Sequence, residues 1–142
     1  MTRSAFWRAA CWRKACEEAG NTKRLEFFEK DLIQWREHPN GALYAKLIRL
    51  KKNTTALWNG RWGALMLHVP NDKGAQVLSF VRQDANGKVF AVFNFSDKAQ
   101  TVRFQQTLYR GAYTDYFSGK AAALDDDAPM QIEAWGYRVF VR

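Results

Sequence analysis

The chain has 142 residues, of which 47% are hydrophobic and 15% aromatic, so it can bury the core of one domain. No apolar run approaches the roughly 18 residues that a transmembrane helix needs, so no membrane partner is expected. Arg8, Arg13 and Lys14 interrupt the apolar stretch that a signal peptide would require. The two cysteines, Cys11 and Cys16, form no metal-ligand pattern with histidine, and the composition predicts a cytoplasmic protein.

The net charge of +8 invites comparison with nucleic-acid-binding proteins. Residues 1–52 hold 12 Lys and Arg against 6 Asp and Glu, whereas residues 53–142 hold 10 against 8. The excess therefore lies in the N-terminal part, and no helix-turn-helix, zinc-finger or RNP-like pattern accompanies it. We expect a solvated basic face and no nucleic-acid partner.

Residues 41–52, GALYAKLIRLKK, give the clearest helical pattern. Asn40, which follows Pro39, is the predicted N-cap, and the late cations suit the C-terminal end of a helix. Apolar residues recur at helical spacing along one side. This apolar face consists of Leu43, Tyr44, Leu47, Ile48 and Leu50.

From Arg61 onward the apolar pattern changes to a period of two. Short segments rich in β-branched and aromatic residues are separated by Gly, Asn, Asp or Pro, which is typical of antiparallel strands. The segments are GALMLHVP, AQVLSFVRQD, KVFAVFNFS, QTVRFQQ, AYTDYFSG, MQIEAW and YRVFVR. The pattern predicts a mainly β fold, with an antiparallel β-sandwich over residues 61–142 and a helical segment over residues 1–60.

Asn86-Gly87 is the strongest turn signal and predicts a two-residue type I′ hairpin. Counting back from this turn pairs Phe80 with Phe93, Leu78 with Phe95 and Val81 with Val92. The predicted core comprises these six residues together with Val139 and Phe140.

The sequence contains none of the common catalytic or nucleotide-binding motifs. Asp125-Asp126-Asp127 is the only dense acidic group, and it lacks the alternating ligands and the glycine of a calcium loop. We therefore expect a solvated turn there. The two histidines, His38 and His68, are isolated from each other and from any carboxylate pattern. From the residues alone we predict no catalytic residue, no metal ligand and no cofactor.

Residues 17–60 and the strands that follow carry a resemblance to a known family. Glu18-Ala19-Gly20 matches the end of a GQE-type loop, and the stretch from Phe27 to Trp35 matches a motif FFEKDxIxW. Residues 44–58 then match YxKLIxLKKxxxAL followed by Trp. The chain thus resembles the end of the catalytic barrel and the C-terminal β-domain of α-amylase-family enzymes, the family 13 glycoside hydrolases. The strand-turn-strand VLSFVRQDANGKVFAVFNFS and the closing WGYRVF resemble that β-domain.

The resemblance implies a retaining hydrolase of α-glucosidic bonds, which uses a carboxylate nucleophile and a carboxylic acid/base. In that family the carboxylates lie on the (β/α)₈ barrel, which needs about 250 residues. They would all precede residue 1, so none is carried over to a position of this sequence. The resemblance therefore implies that the chain is no enzyme on its own.

The sequence departs from the family upstream of Glu17, where an apolar strand is expected and WRAACWRKAC stands instead. Cys16 and Glu17 occupy the positions of the Gly and Gln of the GQE loop. A strand buried on both faces would not tolerate the arginines of this stretch. We therefore expect a truncated or rearranged gene product, in which the apolar face of helix 41–52 lacks its usual partner and promotes homo-oligomerisation.

Three functional hypotheses follow. The first is a non-catalytic C-terminal β-domain of an amylase-like hydrolase, and the second is a small carbohydrate-binding module that takes α-glucan. The third is a subunit that completes an amylase-type barrel supplied by another chain. The candidate carbohydrate contacts are Trp58, Trp62, Tyr113, Tyr116 and Trp135. An exposed flat row of two rings favours binding, whereas burial of all five favours a structural role.

Overall fold

The computed structural model describes residues 39–125 and 128–142. The chain divides into two units, Met1–Leu50 and Lys51–Arg142. The described part of the first unit is residues 39–50, whereas the second unit is described throughout except at residues 126 and 127. The motif FFEKDxIxW and both cysteines lie outside the described residues.

Helix α1 spans Pro39–Asn53 and is therefore longer than the predicted 41–52. The expectation that Asn40 caps the helix is wrong, because the helix already includes Pro39 and Asn40. Proline suits the first turn, since its ring fixes a helical φ and no N–H is needed there. Leu50 is buried, while Leu47 and Ile48 are each more than a third exposed. This helix is not long and apolar enough to cross a membrane.

Eight strands follow, all paired antiparallel, as the period-two pattern predicts. They are β1 (Leu67–His68), β2 (Val77–Gln83), β3 (Lys88–Asn94), β4 (Gln100–Val102), β5 (Gly111–Asp115), β6 (Ala121–Leu124), β7 (Met130–Ile132) and β8 (Tyr137–Val141). Six of them form one sheet in the order β1-β2-β3-β8-β5-β6, and β4 pairs with β7 in a second sheet. The predicted mainly β class is confirmed.

Strand β6 was not predicted, because its sequence AAAL carries no β-branched or aromatic residue. It pairs with β5 at the edge of the large sheet, where Ala112 faces Ala123 and Tyr113 faces Ala122. Pairing with a neighbouring strand thus outweighs the weak β propensity of alanine. Asp125, directly after this strand, is exposed, and the other two aspartates of the run lie outside the described residues.

The predicted register of the β2–β3 hairpin is wrong by two residues. Leu78 pairs with Phe93 and Gln83 pairs with Lys88, so four residues connect the strands. Neither Asn86 nor Gly87 has the positive φ that a type I′ turn requires.

The Asp84 side chain explains this turn. Its Oδ1 accepts hydrogen bonds from the N–H groups of Asn86 (2.8 Å) and Gly87 (2.9 Å). The Asp84 N–H in turn donates to the Gly87 carbonyl at 3.0 Å. An Asx-type turn thus takes the place of the two-residue loop. Because the difference is an even number, every side chain keeps its predicted face.

The core lies between the two sheets. Buried side chains from β2, β3 and β8 meet Val102 of β4 and Ile132 of β7 in one apolar cluster. The cluster comprises Val69, Val77, Val81, Phe90, Val92, Val102, Tyr109, Tyr113, Ile132 and Phe140. Of the eight predicted core residues, Val81, Val92, Val139 and Phe140 are buried.

The other four predicted core residues lie on the opposite face of the hairpin. Leu78, Phe80 and Phe93 are half-buried, and Phe95 is 60% exposed, so its assignment to the core is wrong. Phe95 lies one residue beyond the end of β3, where no strand covers its ring. We call this second face of β2, β3 and β8 the outer face.

The turn Thr55–Leu57 covers part of the outer face near the hairpin turn. The Thr55 hydroxyl donates to the Asp84 carboxylate, and hydrogen bonding to Thr55 lowers the pKa of Asp84. The Arg82 guanidinium donates to the carbonyl oxygens of Trp58 and Ala64, both at 2.9 Å. A side chain at Gly63 would collide with the Trp58 carbonyl. These bonds attach residues 54–64 to the sheet.

The Asn94 side chain connects the C-terminal end of β3 to two turns. Its buried amide donates to the carbonyls of Lys98 (2.7 Å) and Glu133 (2.9 Å), and Oδ1 accepts from the Ser96 N–H (3.0 Å) and hydroxyl (2.7 Å). One side chain therefore joins the turn after β3 to the turn between β7 and β8. Removing the amide takes one hydrogen bond from each of these groups.

We expect Asn94→Ala to lower the free energy of unfolding by about 3 kcal/mol, because the four hydrogen bonds of a buried amide would be lost. Urea unfolding followed by circular dichroism measures the change. Asn86→Ala is the matched control, since Asn86 is exposed, and its effect should stay within about 0.5 kcal/mol. Equal effects of the two substitutions would contradict the role given to Asn94.

Candidate functional site

The outer face carries a continuous series of aromatic rings, which we call the outer aromatic row. Phe93 is its centre: its ring centroid lies 6.1 Å from Phe80, 6.2 Å from Phe95 and 6.4 Å from Tyr137. The series continues from Tyr137 to Phe117 at 5.0 Å and from Phe117 to Tyr116 at 5.5 Å. The row consists of Phe80, Phe93, Phe95, Tyr137, Phe117 and Tyr116.

Strand pairing brings these rings together. Phe93 and Tyr137 face each other across β3 and β8, and Phe80 lies diagonally across β2 and β3 from Phe93. The row is only partly covered, since Phe95 is 60% and Tyr137 is 39% exposed. Exposed apolar groups that adjoin one another on a sheet face are typical of an interaction surface.

Asp115 holds the Tyr116-Phe117 end of the row. Its Oδ1 accepts hydrogen bonds from the Ser118 N–H (2.8 Å), the Ser118 hydroxyl (3.0 Å) and the Phe117 N–H (3.1 Å). Arg138 lies 3.7 Å from the other carboxylate oxygen. Burial by itself would raise the pKa of Asp115, but these hydrogen bonds and the arginine charge together hold the pKa below its usual value.

The five predicted carbohydrate contacts do not form one group. Trp58, Trp62 and Trp135 are exposed by 42%, 66% and 67%. Tyr116 is half-buried in the outer aromatic row, and Tyr113 is buried in the core. In the parts of the chain that the structure describes, no ring contact joins any two of the three tryptophans.

Tyr113 has little ring area to offer a ligand. Its hydroxyl donates to the Tyr109 carbonyl at 2.7 Å, and the ammonium group of buried Lys88 lies 5.6 Å from its ring centroid. Burial raises the pKa of Tyr113 to about 12. Burial lowers the pKa of Lys88, and the positive charge of Arg142 lowers it further. The arrangement explains Tyr113 as part of the core in the middle of β5.

Sequence reasoning missed three members of the outer aromatic row as surface residues, namely Phe95, Phe117 and Tyr137. The signal for Phe95 was its position two residues after Phe93, outside the strand and past the polar Asn94. Phe117 and Tyr137 come from segments distant in sequence, so only the sheet order brings them together. Within residues 39–125 and 128–142, no group of three His, Cys, Asp or Glu side chains could hold a metal ion.

Comparison with known proteins agrees with this architecture. Residues 68–137 match the family model described as alpha amylase, C-terminal all-beta domain. No curated protein matches the chain significantly in sequence. The match begins at β1 and ends at Tyr137 of β8, so it spans most of the sandwich.

Two solved structures share the fold. A noncanonic maltogenic alpha-amylase AmyB from Thermotoga neapolitana superposes with a TM-score of 0.66 at 15% identity, over 84% of this chain and 30% of that one. AmyP in complex with maltose gives a TM-score of 0.55 at 12% identity, over 68% of this chain and 19% of that one. The chain therefore spans less than a third of either similar structure.

The antiparallel sandwich and the family match together define the class of domain. It is an amylase-type C-terminal β-domain. The match supports the resemblance of the strands to the C-terminal β-domain of α-amylase-family enzymes.

We expect Asp115→Asn to flatten the dependence of stability on acid pH. Because the folded-state pKa of Asp115 is lowered, its contribution is present above about pH 3.9, the ordinary value, and is lost as pH falls through the folded pKa. Thermal unfolding between pH 5 and pH 2 measures the slope. Arg138→Gln, which removes a half-exposed partner, should change the slope less. An unchanged slope in Asp115→Asn would contradict this account.

Proposed function

We propose that this chain acts as the non-catalytic C-terminal β-domain of an amylase-like glycoside hydrolase. The observation that carries the proposal is the match of residues 68–137 to the α-amylase C-terminal all-beta domain. The resemblance places the family's catalytic carboxylates on the barrel, ahead of this domain. The role of the domain is then to pack and stabilise, without turnover of its own.

The outer aromatic row supplies a surface for that role. A packing partner would cover Phe95 and Tyr137, whose rings are now partly exposed. The partner that fits is an apolar surface of an amylase-type barrel, because the row offers stacked rings and few charges.

Carbohydrate binding is the second candidate function, and the exposure of three tryptophans favours it. Indole rings stack on sugar faces through their apolar area and can donate a hydrogen bond from the ring nitrogen. One structure that shares the fold, AmyP, is described in complex with maltose. An α-glucan is therefore the ligand class that we propose for this domain.

Helix α1 supports a further partner, a second copy of the chain. Leu47 and Ile48 are consecutive residues of the apolar face and are 38% and 39% exposed. Apolar side chains of this kind associate when a second copy can cover them. A cytoplasmic location remains part of the proposal and rests on the scarcity of cysteine in the sequence.

We expect the purified chain to release no reducing sugar from starch or maltodextrin, because the residues that the family uses for hydrolysis lie on the barrel. The assay compares the chain with a heat-denatured sample and with a complete α-amylase as positive control. Release of sugar above the heat-denatured sample would overturn the non-catalytic role.

We expect the double substitution Leu47→Gln with Ile48→Gln to reduce self-association, because it removes the exposed apolar area while keeping residues that favour helix. Sedimentation velocity over a range of concentrations measures the change. Lys52→Gln is the control, since Lys52 is exposed on the same helix and should leave association unchanged. Equal association in all three proteins would contradict a dimer through α1.

A further inference from the structure

Trp135 has an unusual backbone conformation for its residue type. Its φ is +55°, and it is the one non-glycine residue with positive φ in the described chain. This left-handed region disfavours bulky side chains and costs about 1–3 kcal/mol. Glycine or asparagine would fit the turn better, so the turn does not explain the tryptophan.

Hydrogen bonds on both sides hold the Trp135 turn in place. The Trp135 N–H donates to the Ser96 carbonyl at 3.0 Å, and the Gly136 N–H donates to the Glu133 carbonyl at 2.9 Å. The Gly136 carbonyl accepts the Asn94 N–H at 2.9 Å. A side chain at position 136 would lie within 2.8 Å of the Glu133 carbonyl, which explains the glycine there. The strained conformation is therefore imposed by the surrounding backbone.

Packing does not explain the tryptophan either. The indole is 67% exposed, and it makes no ring contact or hydrogen bond with any other residue that the structure describes. The indole ring therefore stabilises neither the turn nor the core. The feature that remains is a large, flat apolar surface that a rigid turn presents to solvent.

The chemistry around the indole suits a neutral, hydroxyl-rich ligand. Glu133 lies two residues before Trp135, and Asp97 and Lys98 follow Ser96, to which the Trp135 N–H is bonded. All three charged side chains are exposed. Carboxylates accept hydrogen bonds from sugar hydroxyls, and an ammonium group donates to them, while the ring covers an apolar sugar face. The two carboxylates would repel an anionic ligand such as a phosphate.

We propose that Trp135 is the stacking platform of a surface subsite for one glucose unit of an α-glucan. The choice of an α-glucan as the ligand rests on the proposed function, whereas the choice of Trp135 rests on the geometry of its turn. The subsite would anchor a polysaccharide beside the domain and would cleave no bond.

The test is a titration of the ¹⁵N-labelled full chain with maltoheptaose, followed through the tryptophan indole N–H resonances. The chain has six tryptophans, so the resonance that is missing from the spectrum of Trp135→Asn identifies Trp135. We expect that resonance to shift with maltoheptaose. Trp135→Asn should weaken binding by about tenfold or more, measured by affinity electrophoresis in gels that contain soluble starch.

Trp135→Asn also separates binding from folding. Asparagine adopts the left-handed conformation readily, so the variant should unfold at the same temperature as the parent chain or higher. Leu65→Asn is the matched control, because Leu65 is an exposed apolar residue outside this turn, and it should keep the retardation by starch.

Retardation by starch that is equal in Trp135→Asn and the parent chain would overturn the proposal. A change of oligomeric state in Trp135→Asn without any shift by maltoheptaose would also overturn it, and would assign the ring to a protein contact. The hydrolysis assay of the proposed function does not depend on Trp135. The two proposals can therefore fail separately.

Discussion

Burial of β3 on both faces is the constraint on which the rest of this domain depends. Val89, Phe90, Ala91 and Val92 are all buried, although consecutive side chains point to opposite sides of a strand. The inner side chains, Phe90 and Val92, belong to the core between the sheets. The outer side must therefore be covered as well, and the backbone of β3 tolerates neither a shift in register nor a change of face. The neighbouring strands β2 and β8 pair with β3 on its two edges, so its position determines theirs.

The sequence predicted the class of fold because the alternation of apolar residues after Arg61 is regular. It could not predict the register of the hairpin, because the turn depends on one side chain. Asn86-Gly87 suggests a two-residue loop by its composition, but the Asp84 carboxylate binds both N–H groups and makes a longer turn. Similarly, the AAAL of β6 has no strand signal, and only the free edge of β5 makes it a strand.

Surface aromatics were the hardest residues to place from sequence. Tyr113 and Trp135 were both predicted to contact sugar, yet one is 5% exposed and the other 67%. The difference arises from tertiary structure, because Tyr113 points into the core from β5 while Trp135 lies in a turn between two sheets. The positive φ of Trp135 could not be predicted from the sequence. Residue type alone would have assigned a positive φ to the adjacent Gly136.

Asn94 connects the burial of β3 with the surface at Trp135. The strand cannot continue past Asn94, because its side chain bonds to carbonyls in two separate turns, at Lys98 and Glu133. Those turns carry Trp135 and the exposed charged residues Asp97, Lys98 and Glu133. Their backbones are therefore positioned by the core of the free protein, before any ligand arrives. Preorganisation of this kind lowers the entropy lost on binding, which matters for a shallow site that offers one ring and a few hydrogen bonds. The strain at Trp135 is maintained by the same bonds, so the stability of the sandwich supports a conformation that the tryptophan would not adopt by itself.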